Sequence, residues 1–367
     1  MSQGHEAFVS VSEHWKGWGT DGFQYVGLYP ELDSEALSPN INIKERDGKI
    51  RVGREAQANT FSAEADLPAG NFVAQPRTDD FLSIFMAFFQ AVDPYVDLDG
   101  GSATGSLIFV PISEDPDWVG STWGTAMGGT LGVAGDVYPI AVLKCFTDDW
   151  TTYNGEKYTE GIVESLEFSQ PFGEDLTITP TFKFRDVDLN VDLRAYKPNG
   201  AQGSYSTKLR FVDWKGTVAF TYGGVATAVE LSNITFTLSN NTTDKGKIGY
   251  KGWSRFPFSG RPMFEGNLDL ELQPGQRDLA QIMANGGSAT LSVNWWNSAT
   301  DRLFIEFPNI KLRTFDRPIS SGDAPIDYTL PFRAYPIGTL PGVKFTVWSV
   351  YQTQGLTVHA GVGATAL

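Results

Sequence analysis

Carboxylates carry most of the chemistry this chain could do. Asp148 and Asp149 are adjacent, and Glu160 and Glu164 follow closely. Glycoside cleavage needs such pairs, one group as acid and the other as base or nucleophile. Folding can bring any two acidic residues to the working separation, and nothing local selects a pair. Asp93, Asp97 and Asp99 in "DPYVDLDGG" stand near glycines like part of a calcium loop, but the remaining ligand positions are missing. His5, His14 and His359 lie near the two ends in no metal-ligand spacing. Neither Gly48-Lys49 nor Gly246-Lys247 has the glycine and hydroxyl residue of a phosphate-binding loop, and no G-x-S-x-G elbow occurs. Cys145 is the sole cysteine, which rules out an intrachain disulfide and reads as a small core residue. Asn233, Asn240 and Asn241 match the glycan acceptor pattern but read as strand-end and turn residues. The expectation is a non-enzyme without cofactor or metal.

The elements that would hold any site are strands. Of 367 residues, 39 are Gly and 20 are Pro, and aromatics reach 13%, a mixture suited to short strands and turns. Charged residues are sparse at 19%, as in a protein that hides outer surface against copies or partners. The net charge of −15 and the absence of a basic run argue against gripping nucleic acid, which requires Lys and Arg at phosphates. They do not argue against letting nucleic acid pass. The N-terminal residues show no signal peptide, and the longest apolar segment, 81–92, is too short for a membrane helix; no membrane association is expected.

Alternating runs rich in Val, Ile, Thr, Phe and Trp predict strands at 141–146, 162–169, 176–184, 217–222, 234–239, 267–273, 289–296 and 304–315. Gly223-Gly224 predicts a hairpin between 217–222 and 225–231. One clear helix is expected in "RTDDFLSIFMAFFQAV", with Thr78 as cap, Pro94 beyond its end and an apolar stripe of Phe81, Ile84, Phe85, Phe88 and Phe89. A second, weaker helix is expected in "GQRDLAQIMANGG".

Features recur in order. "DGKIRVGR" (47–54) resembles "KGKIGYKG" (245–252), and "AEADLPAG" (63–70) resembles "LDLELQPG" (268–275). After each helix, 141–150 answers 289–298, and 163–184 answers 307–333. An internal duplication follows: a first domain over 1–213 and a second over 214–367. Residues 95–137 read as an insertion or long loop, and 343–367 as a C-terminal extension.

With that pattern, "LYPELDSEALSPNI" (28–41), "AEADLPAG…DDFLSIFMAFFQ" (63–90), "VELSNITFTLSNN" (229–241) and "FSGRPMFEGNLDLEL" (258–272) resemble the two-domain tail tube proteins, or major tail proteins, of long-tailed bacteriophages. The resemblance covers roughly 20–335. It implies a mainly β fold of two tandem β-sandwich or curved-sheet domains, each with a flanking helix. It further implies trimeric pseudo-sixfold rings stacked into a tube, contacts with tape measure, terminator and distal tail proteins, and DNA passing through without specific binding. The protein would be made in the host cytoplasm and reside in the virion tail. Lys49, Arg51 and Arg54, with Lys245, Lys247 and Lys251, would reach the adjacent ring from loops at 40–60 and 240–262. Along "NITFTLS", Ile234, Phe236 and Leu238 would pack on the unit's own helix, and Thr235, Thr237 and Ser239 would face the bore or a subunit joint. The competing expectation is a phage adhesin or carbohydrate-binding double β-sandwich using Trp118, Trp123, Trp295 and Trp296 as sugar platforms.

Overall fold

A computed structural model describes residues 8–13, 32–39, 41–45, 61–65, 67–78, 81–89, 95–97, 106–109, 140–149, 152–192, 211, 216–222, 225–228, 231–242, 262–271, 287–298, 301–313, 327–338 and 340–349. The fold is mainly β. In chain order the strands are β1 (Phe8–Glu13), β2 (Leu32–Glu35), β3 (Ile41–Glu45), β4 (Phe61–Ala65) and β5 (Ala69–Ala74), followed by helix α1 (Leu82–Phe89). Next come β6 (Tyr95–Asp97), β7 (Ser106–Phe109), β8 (Ile140–Asp149), β9 (Thr152–Pro171), β10 (Thr177–Lys183) and β11 (Asp186–Asp192). The remainder are β12 (Gly216–Tyr222), β13 (Val225–Ala228), β14 (Leu231–Ser239), β15 (Met263–Glu271), β16 (Ala289–Ser298), β17 (Asp301–Leu312), β18 (Asp327–Ala334) and β19 (Lys344–Ser349).

Every predicted strand is present, because β-branched and aromatic side chains alternate where one sheet face is buried. β12 pairs β13 with Tyr222 opposite Val225, as the expected hairpin requires, while Gly223 and Gly224 themselves lie outside the described residues.

The helix is shorter than its periodicity suggests. Its first described helical residue is Leu82, and the Phe85 amide donates to the Phe81 carbonyl. Thr78 is therefore not its cap. The Thr78 hydroxyl instead donates to Asp301 Oδ1 at 2.7 Å, a buried bond to the start of β17. The second expected helix lies outside the described residues.

One antiparallel run of strands organises the molecule. β2 pairs with β5, β5 with β10, and β10 with β9. Then β9 pairs with β14, β14 with β15, β15 with β18, and β18 with β17. The pairing order of the first four strands recurs in the last four. Partner strands also recur: β8 precedes and pairs β9 as β16 precedes and pairs β17, and β11 flanks β9 as β19 flanks β17. Even the bulges correspond. One falls opposite Tyr158–Gly161 and the other opposite Phe307–Ile310.

Register matches Gly70 to Gly266. A Cβ on Gly70 would lie 2.4 Å from the Ala36 carbonyl oxygen, and one on Gly266 would lie 2.4 Å from that of Thr235. At both places two backbones approach too closely for any side chain. By register, then, Gly70 answers Gly266 rather than Gly275, so the sequence match of 63–70 with 268–275 is displaced.

β9 is long enough to serve two layers. Residues before Gly161 pair with β8 and β11, and those after it with β10 and β14. Glu160, with φ of 51°, marks the change, and bulges bend strands at such places. The carboxylate of Glu160 is held there by Arg185 at 2.7 Å.

The core is aromatic. Phe236 stacks on Phe168 at 4.6 Å and meets Phe307 edge-on at 5.4 Å. Phe345 of β19 contacts Phe85, Phe89 and Phe168 at 5.4, 4.9 and 5.6 Å. The start of the supposed C-terminal extension is thus core rather than appendage. It pairs with β7, which lies in the stretch read as an insertion or loop. Those two segments complete each other, and 95–137 contains strands β6 and β7.

Candidate functional site

One face of the β5-β10-β9-β14-β15-β18 run is an organised polar surface. Period-two alternation builds it. β14 buries Ile234, Phe236 and Leu238, leaving Thr235, Thr237 and Ser239 on the opposite face. β10 likewise buries Ile178, Pro180 and Phe182 and turns Thr177, Thr179 and Thr181 outward.

Register aligns these residues into rows across the strands. Thr179, Glu167, Thr237, Glu265 and Arg333 form one. Thr177, Ser169, Thr235, Asn267 and Pro331 form the next. Thr181, Ser165 and Ser239 begin a third. A shallow depression of about 260 Å³ runs over the second half, lined by Glu167, Thr235, Thr237, Glu265, Asn267 and Arg313 among others.

Hydroxyls dominate these rows, and two of the carboxylates on the face, Asp269 and Glu265, have partners. Asp269 Oδ2 accepts from Asn233 at 2.9 Å and Asp269 Oδ1 from the Thr329 hydroxyl at 2.5 Å. Glu265 meets Arg313 at 3.4 Å. The Thr177 hydroxyl turns back to the Ser169 carbonyl at 3.1 Å. Cations among the residues of these strands and the depression include Arg333, Arg313 and, at one end, Lys183, which pairs with Glu164.

Beneath it the two halves are fastened. Trp295 Nε1 donates to Gln170 Oε1 at 2.5 Å, both buried. Asn240 is buried and donates through Nδ2 to the Phe88 carbonyl at 3.0 Å and the Val163 carbonyl at 3.2 Å. It thereby satisfies an end carbonyl of α1 that the helix leaves open. Asn241, with φ of 47°, then turns the chain. These were legible in the sequence only as asparagines ending a strand.

Two of the four candidate carboxylates are held by partners. Glu160 pairs with Arg185, and Glu164 with Lys183 at 2.7 Å and with the Thr242 hydroxyl at 2.7 Å. Asp148 and Asp149 fall in β8, at positions whose side chains lie outside the described set. Among the described residues no His, Cys, Asp and Glu cluster suits a metal ion. Tyr158 is buried, and its hydroxyl donates to Glu156 Oε2 at 2.5 Å. Burial, followed by this bond and the nearby Glu156 and Glu35 charges, pushes its ionisation far above the usual phenol range.

Trp295 cannot serve as a sugar platform, since it is buried. Trp296 is half exposed, with the Arg302 guanidinium 5.1 Å from its ring centre and 4.4 Å from that of Trp348. Trp118 and Trp123 lie outside the described residues. So do Lys49, Arg51, Arg54, Lys245, Lys247 and Lys251; of the loop expected at 40–60, Ile41–Glu45 is instead strand β3, paired with β4.

No described helix is long and apolar enough to cross a membrane. No curated protein matches the chain. A family model described as phage tail tube protein matches residues 93–334, well over half of its length.

Proposed function

Because the chain belongs to the phage tail tube protein family, we propose that this structural tail tube subunit closes into trimeric, pseudo-sixfold rings that stack into the conduit for DNA ejection. The two recurring four-strand runs are the single observation that carries the proposal. A strand order that repeats within one polypeptide supplies two adjacent wall segments, divided near Trp214. Head-to-tail contacts whose rotation closes then complete a ring. Division into a first unit of 1–213 and a second of 214–367 belongs to the same reading.

The hydroxyl-lined face supplies the bore. Attraction to phosphate comes from Lys and Arg, so a face of Ser, Thr and Asn with offset carboxylates lets DNA slide with few contacts to break. Thr235, Thr237 and Ser239 stand in the middle of that face. The basic residues Lys49, Arg51, Arg54, Lys245, Lys247 and Lys251 are assigned to ring-to-ring contact, where they would meet the acidic surplus of the next ring. Tape measure, terminator and distal tail proteins are the proposed partners at the tube's interior and ends, and the mature location is the virion tail.

Negative-stain microscopy of concentrated protein, with the lobes of each ring counted, tests this. Six lobes built from three chains are expected. Compact monomers alone, or rings of another symmetry, would sink it.

A further inference from the structure

The described residues carry one strand joint twice, once with a paired strand on its outer side and once with side chains there. In the covered joint, Asn233–Ser239 of β14 lies against Ser165–Pro171 of β9, with Phe236 opposite Phe168. Register makes Leu37, next to β2, the counterpart of Phe236: Leu37 stands by Gly70 as Phe236 stands by Gly266. Ala36 and Ser38 donate their amides to Asn71 and Ala69 on β5. The main-chain groups of Leu37 therefore point to the other edge, by strand alternation. Among the described residues no strand pairs along that edge.

Two side chains occupy it instead. The Leu37 amide donates to Glu35 Oε2 at 3.0 Å, and the Leu37 carbonyl accepts from Lys144 Nζ at 3.3 Å. Lys144 Nζ also meets Glu35 Oε1 at 2.6 Å. One acid and one amine thus take the donor and acceptor that a neighbouring strand would use. Pro39, which follows, has no amide to offer. In the covered joint the corresponding residues are Ile234 for Glu35 and Val293 for Lys144, both buried. Among the described residues, charge sits at the edge that no strand pairs, and apolar side chains at the edge that a strand covers.

We propose that the outer edge of residues 33–37 is the seat for a strand from a second copy of this chain, and that Glu35 and Lys144 hold it closed in the free subunit. This rests on the tube reading. Edge strands that present open main-chain groups invite indiscriminate pairing, and charged side chains are a usual guard. Here the guard is attached to the very groups it protects, so opening it and seating the partner are one exchange of hydrogen bonds.

The test uses the full chain. Ala36 is exposed and Cys145 is buried, so Ala36→Cys gives one maleimide-reactive thiol at the edge. Labelling is compared in free subunits and in assembled tubes. Fast labelling of subunits and at least about tenfold slower labelling in tubes is expected, as for a group covered by a paired strand. Equal rates in both states overturn the seat while leaving the tube intact. Failure of any tube to form overturns the tube reading, and the seat with it.

The guard is tested by Glu35→Ile with Lys144→Val, which copies the covered joint. Tubes of wild-type diameter should form at about fivefold to tenfold lower protein concentration, the worth of a partly buried charge pair and its hydrogen bonds. An unchanged assembly concentration, or amorphous aggregate alone, overturns the guard.

Discussion

At the scale of single residues, close approach decides more than chemistry does. Gly266 lies where a methyl group would press on the Thr235 carbonyl and on Phe236 Cβ, at 2.4 and 2.5 Å. Neither neighbour can swing aside, because one is backbone and the other is fixed in the core. Gly266→Ala should therefore cost about 1–3 kcal/mol of unfolding free energy, the usual penalty for forcing extra volume into packed structure. Urea denaturation checks this. The neighbouring Asn267→Ala, on the exposed polar face, should change stability by less than about 0.5 kcal/mol. Equal effects for the two variants would contradict the packing account. From sequence, Gly266 was one glycine among 39. Its role became visible only when β14 was laid beside β15.

At the scale of elements, the described helix and the last described strand depend on each other. Phe345 of β19 fills the space between Phe85 and Phe89 of α1 and Phe168 of β9. Phe345→Ala removes a ring at the meeting point of three elements and should destabilise the fold by about 3–5 kcal/mol. A large fall in the denaturant midpoint is the expected readout; a shift like that of an exposed site would show β19 to be peripheral. Alternation and composition were enough to find the strands, since both follow from one buried face. Along the chain alone, residues 343–367 nevertheless look like an extension and 95–137 like an insertion or long loop. Their pairing, β7 with β19, spans most of the polypeptide, and local patterns cannot report such a contact.

At the scale of the whole molecule, what matters is which face a cylinder would turn to its cargo. If the face of Thr235 and Thr237 lines the bore, Thr235→Lys with Thr237→Lys places new ammonium groups in the path of DNA. Both sites are outside the core, so folding and tube formation should survive. Tubes of this variant should retain DNA in a filter-binding assay at low salt and release it as salt rises, whereas wild-type tubes should not retain it. Retention no greater than wild type would place this face elsewhere than the bore.

The sequence by itself determined the mainly β class, the strand positions, the burial phase of β14 and the likeness to phage tail tube proteins. All of these rest on local alternation, composition and motif order, which neighbouring residues carry in full. Tertiary structure alone decided the register of the repeated strands, the pairing of distant segments and the use of Glu35 and Lys144 on the Leu37 main chain. Each depends on contacts between residues far apart in the chain, and a one-residue slip in register, which the sequence could not resolve, changes every one of them.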